Sequence, residues 1–385
     1  MAAEIAFEHL SRKPRMTVLD PMMGSGTTIA AAQHHGHRAI GYDMDPLAVL
    51  MSSVRCTHAD LSLVATLGNR VVQEASDVAP KVEGRSAFPR GATDNESKSF
   101  IRYWFDLKNR KQLYALTEAI HGIVDGPEKN VLWCAFSRII VKKKGGASLA
   151  MDVSHSRPHK VSHRSEAEAV SLCKESLSVL LSTLGSRDLS KLAKPSISKG
   201  DARSLPLRDN TIDLIITSPP YLNAIDYLRG HRLSLVWMGY SIPSLRSVRS
   251  NSIGSERAAD SPPSAQIAQV ADLMCSKRKY PSRLRNTLLR YLGDLDQSLG
   301  EMSRVLVQDG VAVVVIGNSA TQGVFIRNSV AVDRIAAMHG FSLLESRMRR
   351  IPNNKRYLPT PAKGKGALAL RMRTETVLVL QKREA

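Results

Sequence analysis

The chain has 385 residues and carries 54 lysines and arginines against 35 aspartates and glutamates, which gives a formal net charge of +19. This length predicts one large domain with insertions or two domains, and so large a positive excess indicates a polyanionic partner, nucleic acid above all. Because the four cysteines form no Cys-x-x-Cys pair and no long apolar run occurs, we expect no zinc or disulfide scaffold, no membrane span and a cytoplasmic protein with free thiols.

The first part of the chain predicts a strand, a tight turn and a helix. Residues 16–20 form a short apolar strand, the glycine-rich segment PMMGSGTT follows, and residues 27–35 are Ala-rich and helical. A second strand, HRAIGYDMD, ends in acids, and Pro46 suits the first turn of the next helix. This strand–loop–helix–strand unit predicts an α/β fold of the doubly wound, Rossmann-like type.

The middle of the chain departs from this alternation. Ser, Lys and Arg become frequent, and helical stretches dominate at 100–124, 130–140 and 165–184. We interpret this part as a mostly helical, basic insertion that divides one α/β domain. The predicted boundaries are 1–58 for the first half, 59–195 for the insertion and 196–385 for the second half.

The α/β pattern resumes after the insertion. ISKGDARSLP predicts a strand and a turn, and the apolar run in DLIITSPPY predicts a buried strand. Two prolines end that run, because proline donates no ladder hydrogen bond and cannot continue a central strand. Residues 241–282 begin with a stretch rich in Ser, Arg and Pro and predict a flexible excursion. An amphipathic helix at 283–307, a buried strand GVAVVVIGNS and an antiparallel pair, FSLLESRMRRIP with ETVLVLQKR, complete the pattern.

The glycine-rich turn predicts a ligand site. It lacks the lysine of a phosphate-binding loop and the three glycines of a dinucleotide fingerprint. Glycine lets the backbone approach a ligand, and a helix N-terminus attracts an anion. Asp20 suits an ammonium group and the helix N-terminus a carboxylate, so an amino-acid end is the predicted ligand; the alternative is an ordinary turn. The predicted contacts are Asp20, Pro21, Gly24, Ser25, Gly26 and Thr27.

Acids at two further strand ends extend this site. Asp43 or Asp45 follows the second strand at the spacing expected for a ribose-binding acid. Asp201, in GDARSLP, could accept a hydrogen bond from an adenine amino group, although a helix cap or an Asx-turn is the alternative. Contacts to an amino acid, a ribose and an adenine together describe S-adenosylmethionine as the cofactor.

Two motifs carry a family resemblance. DPMMGSGTT resembles the S-adenosylmethionine motif of DNA amino-methyltransferases, with Met22 where phenylalanine is more usual, and TSPPY resembles their catalytic motif. The resemblance covers 14–56 and 197–240 well, and 283–320 and 340–382 as generic fold. It implies a Rossmann-like methyltransferase, duplex DNA as substrate, and a target-recognition region between the two motifs. The insertion is the candidate for that region, with a structural cap as the alternative.

The catalytic motif suits amine methylation. The lone pair of an exocyclic amine is delocalised into its ring, and two acceptors aimed at the NH₂ group would localise it. Ser218 Oγ and the Pro219 carbonyl are the predicted acceptors, and Pro219 and Pro220 hold the backbone rigid. The target base must leave the duplex, and Tyr221 would stack on it. The alternative for Tyr221 is a half-buried core tyrosine.

Polar residues near the motif are candidates for DNA contact. Asn223 and Asp226 could border the pocket, while Arg229 and Arg232 could meet phosphates or form a solvated helix face. Further basic residues, Arg283, Arg285 and Arg290, are predicted to strengthen DNA binding and steepen its salt dependence. The eleven histidines show no metal-ligand spacing, so no metal is assigned.

Three functions remain open. With Ser218 in its first position, the Ser-Pro-Pro-Tyr motif resembles that of the cytosine-N4 subgroup. N4-cytosine DNA methylation is therefore favoured over N6-adenine methylation. RNA or protein-amide methylation is the second hypothesis, and a non-catalytic nucleic-acid-binding protein is the third. C5-cytosine methylation needs a Pro-Cys nucleophile, which the sequence lacks. A prokaryotic or phage protein acting at the nucleoid, with or without a cognate restriction endonuclease, is the expected setting.

Overall fold

The computed structural model describes the chain in ten ranges: 15–143, 145–151, 158–160, 162–187, 189–222, 227–254, 264–275, 280–321, 324–351 and 374–383. The chain forms two compact units. Unit 1 comprises Met1–Met44, Leu192–Ala224 and Ser250–Ala385, and unit 2 comprises Asp45–Lys191 and Ile225–Arg249.

The described residues form alternating strands and helices with a helical stretch in the middle. The strands are β1 Thr17–Asp20, β2 Arg38–Asp43, β3 Ala150–Met151, β4 His159–Lys160, β5 Ser196–Lys199, β6 Ile212–Thr217, β7 Leu306–Gly317, β8 Ser319–Thr321, β9 Val324–Ile326, β10 Phe341–Arg350 and β11 Thr374–Lys382. The helices are α1 Thr27–His34, α2 Pro46–Cys56, α3 Leu61–Val78, α4 Asn95–Trp104, α5 Leu107–His121, α6 Pro127–Ile140, α7 Ala169–Gly185, α8 Leu228–Leu235, α9 Ile242–Asn251, α10 Ala265–Met274, α11 Ser282–Val305 and α12 Asn328–Met338.

Unit 1 is built on a seven-stranded sheet with the order β5-β2-β1-β6-β7-β11-β10. Strands β5, β2, β1, β6 and β7 pair in parallel, and β11 lies antiparallel between β7 and β10. The strand order runs outward from β1 in one direction and from β6 in the other. This is the doubly wound arrangement, extended by an antiparallel last strand. The predicted α/β, Rossmann-like fold is therefore confirmed.

The central strands are apolar because both of their faces are buried. Residues 311–316 of β7 are all Val, Ala or Ile and at most 5% exposed, as expected for a parallel strand with covered faces. On one face, α10, α11 and α12 supply the packing, including the fully buried Leu288 and Tyr291. The predicted amphipathic helix at 283–307 and the predicted antiparallel terminal pair are confirmed by α11 and by the pairing of β10 with β11.

Unit 2 is mainly helical and has its own core, which includes Phe136, Leu116 and Trp237. Four of its helices begin after an aspartate whose carboxylate accepts backbone N–H bonds of the first turn, which satisfies donors that the helix leaves unpaired. In the described part of the chain, no helix combines the length and apolar character that a bilayer crossing requires.

Three sequence predictions differ from this architecture. The insertion was predicted as 59–195, whereas unit 2 begins at Asp45 and includes 225–249, because α2 and α8 bury apolar side chains in the same core as α3–α7. The predicted helix 100–124 is two helices, since Asp106 caps α5 through a 2.8 Å bond from the Asn109 N–H.

The predicted flexible excursion at 241–282 contains two helices. Helices α9 and α10 bury Ile242, Leu245 and Val270. The prediction relied on the Ser, Arg and Pro content of this segment and overlooked apolar residues at helical spacing. Residues 255–263 and 276–279 of the excursion lie outside the described residues.

We predict that Gly41→Ala lowers the free energy of unfolding by about 1–3 kcal/mol, because overpacking a filled core forces its neighbours to move. A Cβ at Gly41 would lie 2.4 Å from Met23 Sδ and 2.9 Å from Ile29 Cδ1. Urea denaturation measures the change. Gly293→Ala is the matched control: nothing lies within 4 Å of its Cβ position in α11, so it is expected to stabilise by ~0.5–1 kcal/mol through helix propensity. Equal effects would contradict the packing argument.

Candidate active site

The carboxyl ends of β1 and β6 lie side by side in unit 1. Their register pairs Val18 with Leu214 and Leu19 with Ile215. The strand order reverses between these two strands, and ligands of doubly wound sheets bind outside the carboxyl ends at such a reversal. The glycine loop follows β1 and the TSPPY segment follows β6. The fold therefore brings the two predicted motifs to neighbouring strand ends.

Asp20, the last residue of β1, connects the two motifs. Its side chain is buried, at 4% exposure. Thr217 Oγ1 donates a 2.8 Å hydrogen bond to Asp20 Oδ1, and the Met22 N–H donates one of 3.2 Å to the same atom. Burial raises the pKa of Asp20 to about 6, partly offset by the hydrogen bonds that favour its charged form. The carboxylate thus fixes the start of the glycine loop against the end of β6.

Among the described residues, no lysine or arginine forms an ion pair with Asp20, and the nearby Asp43 raises the pKa of Asp20 further. A buried carboxylate without a cationic partner is costly. Such a perturbed acid beside a glycine loop is a candidate for binding a cationic ligand.

The glycine loop adopts a backbone that needs glycine. Gly24 and Gly26 have φ values of 52° and 76°, a region that glycine occupies without steric cost. Gly26 is the residue before α1 and has no side chain with which to cap the helix. The first-turn N–H groups of α1 therefore present a partial positive charge suited to an anion.

Of the two acids predicted to bind ribose, Asp43 shares unit 1 with the glycine loop. Its Oδ2 accepts a 2.9 Å hydrogen bond from the Gly24 N–H. Asp45 belongs to unit 2, where its Oδ1 accepts from the Leu47 N–H at 2.9 Å and its Oδ2 lies 2.5 Å from His231 Nδ1. Asp45 therefore serves as a helix cap, and Asp43 is the better candidate for the ligand site.

Asp201 is engaged by a neighbouring arginine. Arg203 donates from Nε to Oδ1 at 3.0 Å and from Nη2 to Oδ2 at 2.7 Å, while its backbone N–H donates to Oδ1 at 3.0 Å. The last bond is the Asx-turn that the sequence left open as an alternative. Arg203 also binds Asp294 at 2.6 Å. These bonds use most of the capacity of the Asp201 carboxylate to accept hydrogen bonds. A contact between Asp201 and the adenine amino group stays a prediction.

Two hydrogen bonds to separate elements hold Ser218 and Pro220 of the TSPPY segment. The Ser218 side chain is exposed, and its hydroxyl donates a 3.0 Å hydrogen bond to the Val315 carbonyl of β7. Pro219 is buried, and the Pro220 carbonyl accepts a 3.1 Å bond from the Tyr291 hydroxyl of α11. The Ser218 hydroxyl also interacts with the Tyr221 hydroxyl. Because Ser218 gives its proton to Val315, its oxygen can still accept from a donor.

Tyr221 is half-buried and packs against the core of unit 1. Its hydroxyl donates a 3.1 Å hydrogen bond to Glu375 Oε1. Burial, followed by the charge of Glu375, raises the pKa of Tyr221 to about 12. The ring is therefore held by the core and the hydroxyl by Glu375. The half-buried ring matches the alternative of a core tyrosine, and stacking on a base stays a prediction.

The predicted DNA contacts are dispersed. Asn223 and Asp226 lie outside the described residues. Arg229 and Arg232 are half-buried in unit 2, and the Arg232 guanidinium lies 5.1 Å from the centroid of the Phe100 ring. In unit 1, Arg283 is exposed in the first turn of α11.

Two of the arginines predicted to meet DNA from α11 have protein partners. Arg285 forms a 3.1 Å bond with Asp272. Arg290 is only 8% exposed and lies 3.5 Å from Asp294. Because Arg290 lies on the side of α11 that faces the core, its burial does not support the predicted contact with DNA, which stays a prediction.

Three residues of this site were not found from the sequence: Thr217, Tyr291 and Glu375. Thr217 alone carried a signal, since it is a polar residue that ends an apolar strand. The others lie on distant elements whose positions depend on the sheet order.

We predict that Asp20→Asn makes the protein more stable at neutral pH by ~1–3 kcal/mol, with the gain vanishing in acid. The folded-state pKa, about 6, lies above the ordinary 3.8, so ionisation opposes folding. The cost is absent below pH ~4, grows as pH rises to about 6 and persists above it. Urea denaturation between pH 4 and 8 measures it, with Asp309→Asn, at an exposed position of β7, as control. Parallel stability curves for wild type and Asp20→Asn would contradict the argument.

Sequence comparisons find DNA methyltransferases. Residues 9–52 match the model of a family described as DNA methylase. Type II methyltransferase M.MvaI from Kocuria varians is 22% identical over 96% of this chain and 85% of its own length. Type II methyltransferase M.BsoBI from Geobacillus stearothermophilus is 26% identical over 60% of this chain and 49% of its own length.

Solved structures give weaker likenesses. A SAM-dependent methyltransferase from Methanosarcina mazei has a TM-score of 0.35 at 8% identity, covering 98% of each chain. The YcgJ protein of Bacillus subtilis has a TM-score of 0.36 at 10% identity, covering 100% of this chain and 99% of its own. The doubly wound fold rests on the strand order and not on these scores. The chain is therefore similar to DNA methylases over residues 9–52 and to Type II DNA methyltransferases over a larger part of its length.

Proposed function

We propose that this protein methylates an exocyclic amine of DNA, with cytosine N4 favoured over adenine N6. It is a DNA methyltransferase of the N4/N6 type that uses S-adenosylmethionine. The observation that carries the proposal is the hydrogen bond from Thr217 to Asp20, which joins the glycine loop to the TSPPY segment at the reversal of the sheet.

The residues of the glycine loop fit the cofactor. The uncompensated carboxylate of Asp20 would hold the ammonium group, and the first turn of α1 the carboxylate. Asp43 would accept from the ribose hydroxyls. The left-handed Gly24 and Gly26 leave no side chain between the backbone and the ligand. When bound, S-adenosylmethionine supplies an electrophilic methyl group on a sulfonium.

Ser218 prepares the attacking amine. Its hydroxyl proton is donated to the Val315 carbonyl, so the oxygen accepts a hydrogen bond from the target NH₂ group. With the Pro219 carbonyl as a second acceptor, the amine nitrogen is drawn toward a tetrahedral form whose lone pair is localised. These acceptors are fixed before the substrate arrives, since Pro219 is buried and Tyr291 holds the Pro220 carbonyl.

Cytosine is favoured because of Ser218. The DNA family uses serine at this position mainly in the cytosine-N4 subgroup, as the resemblance implies. Adenine-N6 methylation is the first alternative, and RNA amino-methylation the second. The net charge of +19 agrees with either nucleic acid.

Binding of duplex DNA is assigned to two surfaces. Arg283 is exposed at the start of α11, and because α11 leads into the first residue of β7, its N-terminus lies toward the carboxyl edge of the sheet. Unit 2, which includes Arg229 and Arg232, is the candidate target-recognition region. The relatives are named Type II methyltransferases, so we also propose a cognate restriction endonuclease and action on chromosomal DNA at the nucleoid in the cytoplasm.

The proposal is tested by incubating purified protein with unmethylated duplex DNA and methyl-labelled S-adenosylmethionine, followed by nucleoside analysis. Label is expected in N4-methylcytosine. Label in N6-methyladenine would overturn the cytosine assignment alone. Label confined to an RNA substrate, or none in either nucleic acid, would overturn DNA methylation.

We predict that Ser218→Ala lowers kcat by about 10²-fold, because one preorganised polar contact to the reacting group is lost. Steady-state kinetics on the same DNA measures the effect. Ser303→Ala is the matched control, since Ser303 also donates its hydroxyl proton to a backbone carbonyl, that of His339 at 2.8 Å. Ser303 lies near the end of α11, which leads to the amino end of β7 and therefore away from the site. The kcat of Ser303→Ala is expected to lie within about twofold of wild type. Equal losses would contradict the role of Ser218.

A further inference from the structure

A chain of hydrogen bonds leads from the TSPPY segment to the last two strands of unit 1. Tyr221 donates to Glu375 Oε1 at 3.1 Å. Arg349 donates from Nε to Glu375 Oε2 at 2.7 Å, and its Nη2 lies 2.5 Å from the same oxygen. Arg349 therefore occupies one oxygen of the carboxylate and Tyr221 the other.

The sheet register explains how residues so distant in sequence meet. Glu375 pairs with Gly317, the last residue of β7, and Arg349 pairs with Glu375. Strand β11 is antiparallel, so its first residues lie at the carboxyl edge where β6 and β7 end.

We infer that Glu375, held by Arg349, is a positioning residue that fixes the ring of Tyr221 for the flipped target base; this rests on the proposed function. The ring packs on one side against the core, and its hydroxyl is anchored from β11. A side chain ordered before the base arrives loses little further rotamer freedom on binding. The hydroxyl remains protonated at neutral pH, because burial and the charge of Glu375 raise the pKa of Tyr221 to about 12.

A purely structural brace between strands is the competing explanation. Such a brace would affect stability and every kinetic constant together. A positioning role acts through the Tyr221 hydroxyl and on the step that needs the base in place. Double-mutant analysis separates the two, because residues acting through one contact give non-additive effects.

The test compares Glu375→Ala, Glu375→Gln and Tyr221→Phe with wild type. Glu375→Ala and Tyr221→Phe are each expected to lower kcat about five- to tenfold, the size of one lost hydrogen bond, with KM for S-adenosylmethionine changed less than about twofold. Glu375→Gln keeps an acceptor for Tyr221 and is expected to recover most of the loss. Glu345→Ala is the control, since Glu345 lies on β10 and pairs with Arg347.

The double variant Tyr221→Phe, Glu375→Ala decides between the explanations. We expect no loss of kcat beyond that of either single variant. Multiplied losses, or a wild-type kcat in Glu375→Ala, would overturn the inference.

A second measurement needs no activity. The ¹³C-labelled Tyr221 signal, assigned by its absence in Tyr221→Phe, should titrate at lower pH in Glu375→Ala, because a nearby negative charge is removed. An unchanged titration would overturn the contact, whereas an inactive wild type with a shifted titration would overturn only the proposed function.

Discussion

The hydrogen bond between Thr217 and Asp20 is the interaction on which the arrangement of this site depends. It joins the ends of two adjacent parallel strands, β1 and β6, where the order of the sheet reverses. One end leads into the glycine loop and the other into TSPPY. Because the bond is short and buried, the glycine loop and the TSPPY segment hold a fixed distance from each other. Under the proposed function, this proximity would supply a large part of the catalysis.

The buried carboxylate of Asp20 lowers the stability of the protein at the proposed cofactor site. Asp20 is a buried acid without a cationic partner among the described residues, and burial raises its pKa to about 6. A neutral side chain of the same shape would stabilise the fold more at neutral pH. Under the proposed function, a cationic ligand bound beside Asp20 would offset the free-energy cost of burying its charged carboxylate. In the TSPPY segment, by contrast, Val315, Tyr291 and Glu375 each hold one polar group in place.

The sequence predicted what depends on local pattern. The doubly wound fold followed from strand and helix periodicity, and the glycine loop and TSPPY from residue types at strand ends. It could not locate Glu375 or Arg349, because their contact with Tyr221 depends on β11 lying between β7 and β10. It assigned Arg290 to DNA from charge alone, although only the packing of α11 decides which arginines are buried. It also left Asp43 and Asp45 undecided, and their partners, Gly24 and the α2 N-terminus, distinguish them.

We propose above all that the ionised carboxylate of Asp20 holds the ammonium group of S-adenosylmethionine. Isothermal titration calorimetry of the cofactor between pH 5 and 8 tests it directly. With a pKa of about 6 for the carboxyl group, the wild-type Kd is expected to be constant above pH ~7 and to rise toward tenfold per unit below pH ~6. The Asp20→Asn variant should bind weakly at every pH. Tight binding by that variant, or a wild-type Kd that does not change with pH, would contradict the account.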